Sequence, residues 1–367
     1  MNTIGIDAFV LKNLSGGISF YLFCLLKQLI PMRPHWLFIL YTTSPSGDFA
    51  ELLQFSNVRI RSIRAFSSFH SLWIQTSLAI ALYQDSPDFF WAPAQIMPLV
   101  IQKKIKTILT VHDFVYRISP QSISKSRYYL MHLFSGLFYR SADYIFCNSK
   151  GTANKLKLFY GIDSTDVVTP PLKDTITHKQ GYECRDVLKK YGLHYKEFIL
   201  TVGSIEPKKN LMQLMEFYEK LLIQKDLSSV IPLVIVGGYG WRNTQILDRI
   251  ARMRQLYPDH FIPLGFVPDI DMPVLYSAAR FFVLFSVYEG YGMPLMEARA
   301  CHTPIACFDI EEMREAADNE GLFMDKKKIP SELAPLFDKK TQWPQSPKKY
   351  SYPTTQELAE KIARLLP

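Results

Sequence analysis

The sequence predicts an α/β protein of two domains, each a mostly parallel sheet covered by helices. Three observations predict it. Short apolar runs rich in β-branched and aromatic residues alternate with stretches of helical spacing, the pattern left by strands joined through crossover helices. The chain has 367 residues, more than one ordinary core holds. The alternation also breaks once, at Thr169-Pro-Pro171, in a polar, proline-containing stretch that runs to about Tyr195. Residues 1–170 are therefore assigned to a first domain, 171–195 to a linker, 196–353 to a second domain and 354–367 to a closing helix.

Thr3-Ile-Gly-Ile-Asp7 reads as the first strand. Ser15-Gly-Gly-Ile18 then turns the chain into a helix whose apolar residues Ile18, Tyr21, Leu22, Leu25, Leu26 and Leu29 share one face. A strand, a glycine turn and a helix form the layout of a phosphate-binding turn, although the full G-x-G-x-x-G is absent. Further strands are expected at Trp36–Tyr41, Val58–Arg61, Phe89–Trp91, Lys106–Val111 and Tyr144–Cys147. Between them, Leu72 to Tyr83 is apolar enough to face a membrane or an acceptor, but fits a core helix better. His112-Asp113 follows a strand end, where open α/β sheets place their ligands, and Asp113 is positioned to orient the ring. Asn148-Ser149-Lys150-Gly-Thr152 also follows a strand, with Ser149 placed to cap the next helix.

The second domain opens with a strand at Phe198–Ser204, then Ile205-Glu-Pro-Lys-Lys-Asn210 and a helix from Leu211. Two lysines at the mouth of such a unit can neutralise a departing diphosphate. Ile231–Val236 ends in the turn Gly237-Gly-Tyr-Gly-Trp241, and Phe261–Leu264 precedes Gly265-Phe-Val-Pro-Asp-Ile-Asp271. The Asp269-x-Asp271 pair is read as helix capping rather than as a metal site. The run Arg280–Phe285 is a strand buried on both faces.

The stretch that follows it, Ser286 to Ile305, is the most informative in the chain. Gly290 and Gly292 permit a tight turn, and Pro294 suits the first turn of a helix. The amides of Gly292 and Met293 then sit at a helix N-terminus, where a phosphate binds well. Carboxylates bracket this anion site, Glu289 before it and Glu297 one turn inside. A carboxylate repels phosphate unless it has another task, and sugar hydroxyls supply that task. A diphosphate with a sugar at each end satisfies both elements, which describes a nucleotide sugar.

These residues carry a resemblance. Glu289 to Glu297 resembles the E-x7-E motif of retaining GT-B glycosyltransferases of family 4, and Gly203-Ser-Ile-Glu-Pro-Lys-Lys-Asn-Leu211 is similar to that family's G-x-x-E-P-R-K-N-L. Gly16-Gly17, His112-Asp113 and the Ser149 turn have counterparts as well. The resemblance implies a GT-B fold, in which two Rossmann-like domains face each other across a cleft. The first domain takes the acceptor, the second holds the donor, and the final helix crosses back to the first.

It also implies roles for individual residues. Glu289, His112 and Lys209 are the catalytic candidates. Glu297, Gly17, Ser204, Lys208, Gly290, Tyr291, Gly292, Met293 and Val267 are the donor-binding candidates, with backbone near Val267 at the nucleobase. Two departures stand out. Lys208 replaces an arginine and is expected farther out in solvent, and Ser204 stands where many relatives have arginine. No cofactor and no metal are expected. The likeness to mannosyltransferases of bacterial surface polysaccharide assembly makes mannose from GDP-mannose the preferred donor.

Composition bounds the remaining readings. The five cysteines lack metal-type spacing and are expected to be reduced and mostly buried, which suits the cytoplasm. Residues 1–170 hold 16 Lys and Arg against 9 Asp and Glu, so this half carries most of the net charge of +8. A basic first domain suits a glycan or lipid-linked acceptor and peripheral contact with an anionic membrane, and no nucleic-acid motif accompanies it. No signal peptide or membrane span is expected. The alternatives are a nucleotide-sugar-binding protein without catalysis and a dinucleotide-dependent oxidoreductase, whose glycine fingerprint the opening turn lacks.

Overall fold

The computed structural model describes residues 2–12, 14, 16–44, 47, 49–64, 70–240, 243–325, 333–341 and 352–365. Ser15, Trp241 and much of 326–353, the end of the second domain as assigned from sequence, lie outside them. Contacts divide the chain into two compact units: Met1–Phe114 with Tyr129–Pro171 and Tyr352–Pro367, and Val115–Tyr128 with Leu172–Ser351.

The first unit is built on β1 (Thr3–Asp7), β2 (Leu37–Thr42), β3 (Val58–Ser62), β4 (Phe89–Ala92), β5 (Lys106–Val111), β6 (Tyr144–Cys147) and β7 (Asp166–Val167). They form one parallel sheet in the order β3-β2-β1-β4-β5-β6-β7. The inner strands are buried along their length, which explains their nearly unbroken apolar sequences. Strand order reverses between β1 and β4, so the loops after these strands diverge and leave room at the carboxyl edge.

Connections β1→β2 and β2→β3 run one way across the sheet, and those from β3 through β7 run the other way. Right-handed crossovers therefore put the two sets on opposite faces. On one face the Gly17–Met32 helix packs Leu22, Leu25, Leu26 and Leu29 against Leu358, Ala359 and Ile362 of the Thr355–Leu365 helix. On the other, Trp73, Ile74 and Leu78 are buried beneath a helix running from His70 to Asp85 with a π-helical turn at Ile74–Leu78. This helix is a core helix on one side only, because Leu72, Ile80 and Tyr83 are exposed.

The second unit has β8 (Ile199–Val202), β9 (Leu233–Val236), β10 (Phe261–Gly265), β11 (Phe281–Leu284), β12 (Ile305–Phe308) and β13 (Leu322–Met324), parallel and ordered β10-β9-β8-β11-β12-β13. Here the reversal falls between β8 and β11. The two loops with the most chemistry, after β8 and after β11, thus leave neighbouring strands at the switch point.

No helix among the described residues is long and apolar enough to cross a membrane. Four cysteines are buried, Cys24 is half-buried, and all five are free thiols.

Candidate functional site

The loop after β8 is tightened by a 3-10 turn at Pro207–Lys209, and Asn210 takes a left-handed φ of 53° to start the helix Leu211–Gln224. This turn lays the Lys209 stem over Gly203. A Cβ at Gly203 would come within 3.1 Å of Lys209 Cε, so a side chain there would displace the lysine. Behind Gly203 the backbone of Gly237 approaches so closely that its Cβ would fall 1.9 Å from the Gly203 carbonyl oxygen. Two glycines on adjacent strand ends thereby make room for one lysine stem.

The β11 loop brings Glu289 to this lysine. Lys209 Nζ donates to Glu289 Oε1 at 2.5 Å, and Ser286 Oγ donates to the same oxygen at 2.6 Å. Glu289 is 8% exposed and Lys209 9%. Glu289 Oε2 has no protein hydrogen-bond partner among the described residues. Burial pushes the Glu289 carboxyl up, but the charges of Lys209 and Lys208 and the hydrogen bonds from Lys209 and Ser286 outweigh it, and hold the group below the usual glutamate range. The site therefore keeps a buried anion charged with one oxygen uncommitted.

Lys208 lies farther out than Lys209, as the sequence reading expects, yet it stays tied to the site. Its Nζ lies 3.5 Å from Glu206 Oε1 with 27% of the side chain exposed, and its backbone carbonyl accepts from the Val287 amide at 2.9 Å. The loops after β8 and β11 are stitched together at that carbonyl, which keeps the lysine in the site. Ser204 Oγ donates to Glu206 Oε1 at 2.9 Å. Ser204 and Lys208 thus share one carboxylate.

Gly292 caps the Met293–Ala300 helix with φ at 107°, a conformation that disfavours any residue with a Cβ. Neither the Gly292 nor the Met293 amide has a hydrogen-bond partner among the described residues. One turn in, Glu297 Oε2 accepts from Tyr276 Oη at 2.7 Å. Burial raises the Glu297 carboxyl above its usual range, with Asp269 adding to the effect, while the Tyr276 hydrogen bond and the charges of Lys173 and Lys209 oppose it. Glu289 and Glu297, eight residues apart, are therefore tuned in opposite directions. Tyr291 is buried at 5% exposure, so its ring is part of the core.

The Val267 side chain is buried beside a cavity of about 840 Å³ lined by Gly237, Gly238, Tyr239, Gly265, Phe266 and the Leu247–Gln255 side of the next helix. Tyr239 and Phe266 are exposed aromatic rings at this strand edge. Asp269 and Asp271 correct the capping expectation. Asp271 stands at the N-cap but makes no capping bond, because Lys190 Nζ and Tyr191 Oη both reach its Oδ2 at 2.7 Å. Asp269 pairs with Lys173 at 2.8 Å.

The remaining predicted residues belong to the first unit. Gly17 is the first residue of its helix, behind the N-cap Gly16. His112 is 7% exposed, and its Nε2 lies 2.6 Å from the Pro93 carbonyl. A carbonyl only accepts, so Nε2 carries the proton, and the Pro93 carbonyl orients the ring. The Ser149 cap is present as expected, its Oγ accepting from the Thr152 amide at 2.9 Å.

Sequence reading misses Ser286 and Tyr276. Ser286 stands three residues before Glu289 in one loop, a spacing that could have suggested the contact. Tyr276 reaches Glu297 from a different helix and leaves no local signal. Also missed is a pair at the end of β1, where His70 Nε2 lies 3.0 Å from the fully buried Asp7 Oδ2.

Comparison with known proteins gives the family and the fold. The family model for glycosyl transferases group 1 matches residues 186–366, and the model for glycosyltransferase family 4 matches residues 15–171. The chain is a group 1, family 4 glycosyltransferase. Among curated relatives of this family 4 chain, O-antigen chain mannosyltransferase B of Escherichia coli is 29% identical over 227 residues, 61% of this chain and 58% of the relative. The serotype-specific mannosyltransferase WbdA of Escherichia coli is 29% identical over 210 residues, 53% of this chain and 24% of the relative. The match thus spans about half of one relative's length and a quarter of the other's.

Solved structures show the same GT-B fold. HepE of Anabaena, crystallised with UDP and glucose, superposes with a TM-score of 0.63 at 16% identity, covering 100% of this chain and 90% of HepE. WaaG, a glycosyltransferase involved in lipopolysaccharide biosynthesis, does so with a TM-score of 0.64 at 14% identity, covering 91% and 89%.

Proposed function

We propose that this family 4 chain transfers a sugar from a nucleoside diphosphate to an acceptor hydroxyl, with retention at the anomeric carbon and without a metal. The carrying observation is the buried Lys209–Glu289 pair with Glu289 Oε2 uncommitted, beside the open helix N-terminus at Gly292 and Met293. On this reading Glu289 Oε2 accepts from hydroxyls of the donor sugar. The Gly290–Met293 backbone and Ser204 line the diphosphate path, while Lys209 and Lys208 neutralise the leaving group, the task a metal would otherwise have. Glu297 accepts from the ribose, and backbone near Val267 meets the base.

By resemblance to the family, departure and attack are assigned to one face of the sugar, with the leaving phosphate taking the acceptor proton. Mannose from GDP-mannose is the proposed donor, supported by the Escherichia coli mannosyltransferases named above. The proposed acceptor is a glycan or lipid-linked oligosaccharide of O-antigen or capsule synthesis, met in the cytoplasm or at the inner face of the cytoplasmic membrane by the basic first unit.

The test is thermal unfolding in EDTA with GDP, UDP, ADP, their sugars and NAD, on the wild type, Glu297→Ala and Lys209→Ala. A nucleotide at a hundred times its Kd adds about 2.7 kcal/mol of stability. GDP and GDP-mannose are expected to raise the wild-type midpoint, and both variants to lose the effect. A response to NAD alone, or to nothing, sinks the proposal. A second reading, donor binding without transfer, is favoured by Ser204 standing in place of the arginine of many relatives. NMR of the anomeric proton during incubation with GDP-mannose and a glycan acceptor separates the two, since only a transferase converts them to GDP and a new glycoside.

A further inference from the structure

The exposed apolar side chains of the first unit are unevenly distributed. The helix from His70 to Asp85 exposes Leu72, Ile80 and Tyr83 while burying Trp73, Ile74 and Leu78 on its other side, so it is apolar all round. The β4→β5 connection is an extended strap running along that helix, fastened by Gln75 to the Met97 carbonyl and the Leu99 amide, and by Gln102 to the Tyr83 carbonyl. Its turn holds Leu99 and Val100 out at 43% and 81% exposure. The Lys125–Ser141 helix presents Tyr129, Leu133 and Leu137 at four-residue intervals, all exposed. The Lys150–Tyr160 helix, joined to it by a 2.7 Å hydrogen bond between Ser135 and Tyr160, adds Leu158.

By the handedness of the crossovers, all these elements cover one face of the sheet. Among the described residues of this unit, Leu53 is the remaining large exposed apolar side chain, and it lies in the β2→β3 connection on the opposite face.

Charge distinguishes what would cover such a face. Neither the Lys125–Ser141 nor the Lys150–Tyr160 helix contains an acidic residue. Of the nearby carboxylates, Asp85 pairs with Arg61, Asp143 with Lys106 and Asp163 with Lys157, while the exposed Asp88 is held by Thr3 and makes no ion pair among the described residues. Lys103 and Lys104, directly after the apolar turn of the strap, are exposed and make no ion pair among the described residues. Scattered apolar side chains set among uncompensated cations match the two signals, burial and charge, that hold a protein on an anionic bilayer.

We propose that this face of the first unit, from the His70–Asp85 helix across the Leu99–Lys104 strap to the Tyr129–Ser141 stretch, is the surface that docks on an anionic lipid bilayer. The inference rests on the membrane contact proposed above and gives it a location, although its test needs no sugar transfer.

The test is flotation of the full-length protein with vesicles of phosphatidylcholine alone or with 30 mol% phosphatidylglycerol. Binding is expected to the anionic vesicles only. Ile80→Glu/Tyr83→Glu and Leu133→Glu/Leu137→Glu are each expected to lower the bound fraction at least tenfold. Lys103→Ala/Lys104→Ala should weaken binding about thirtyfold at low salt, whereas Leu53→Glu on the opposite face should leave it unchanged. Unaltered melting of each variant with nucleotide shows that folding and the donor site are intact, so a failed docking face is distinguished from a failed donor reading. The proposal is overturned if the wild type ignores anionic vesicles, or if the face variants bind as the wild type does. It is equally overturned if sedimentation equilibrium shows a dimer that the same variants dissolve, since a second copy would then cover the face.

Discussion

Lys209 and Glu289 are each nine-tenths buried, and each makes the other's charge tolerable. Removing one partner strands the other, so Lys209→Met should cost about 3–5 kcal/mol in urea unfolding. The double change Lys209→Met/Glu289→Gln should cost clearly less. The same single change should lower kcat by about 10²–10³-fold if the lysine stabilises the departing diphosphate. The two glutamates respond to pH in opposite senses. Glu289 titrates below its unfolded value, so its contribution is complete above about pH 4.5 and fades as pH falls through the depressed value. Glu297 titrates above its unfolded value, so at neutral pH its charge costs stability. Glu297→Gln should therefore melt higher than the wild type at pH 7, with the advantage disappearing towards pH 4, while losing nucleotide-dependent stabilisation. Melting Glu289→Gln and Glu297→Gln from pH 2 to 8 checks the two slopes. Glu289, Glu297 and Lys209 were legible in the sequence because each lies in a short motif. Tyr276 and the pairing of Lys209 with Glu289 were not, since they depend on which elements lie side by side, whereas Ser286 stands in the same loop as Glu289 and only its contact was missed.

The strand ends around the site are set by backbone approach. Gly237→Ala would drive a methyl into the Gly203 carbonyl, and the two strand ends would have to separate. This variant is expected to lose nucleotide binding altogether and to melt well below the wild type. Gly292→Ala meets only ordinary contacts at 3.4 Å, but must take φ at 107°, a strain of about 1–3 kcal/mol. Calorimetry of the pair should rank Gly237→Ala as the more severe. Most strands were legible because buried parallel strands leave continuous apolar runs. The edge strands β7 and β13 have two and three residues, too few for a pattern. Strand β12 follows its helix so closely that the apolar run of one merges with the other. For the His70–Asp85 helix the sequence favours core over a membrane- or acceptor-facing side for a related reason: a helix apolar all round reads as core.

At the scale of the molecule, alternation and length gave the two-sheet architecture, and the closing helix was visible from its spacing. Its buried residues belong to the core of the first unit although more than 180 residues separate them from Pro171. Ile362→Ala should thus destabilise the first unit by about 2–5 kcal/mol while leaving the nucleotide-induced shift of the second unit in place, a split that denaturant unfolding with and without GDP can resolve. The same arrangement has a temporal side. During synthesis the Gly17–Met32 helix waits for its partner while the whole second unit is being made, which at ordinary elongation rates takes on the order of 10–40 s. Through that interval Leu22, Leu25 and Leu29 have no cover from Leu358 and Ile362. The newborn first half should then be a chaperone client, and a ribosome stalled late in the second unit should hold a protease-sensitive first unit that release of the finished chain makes resistant.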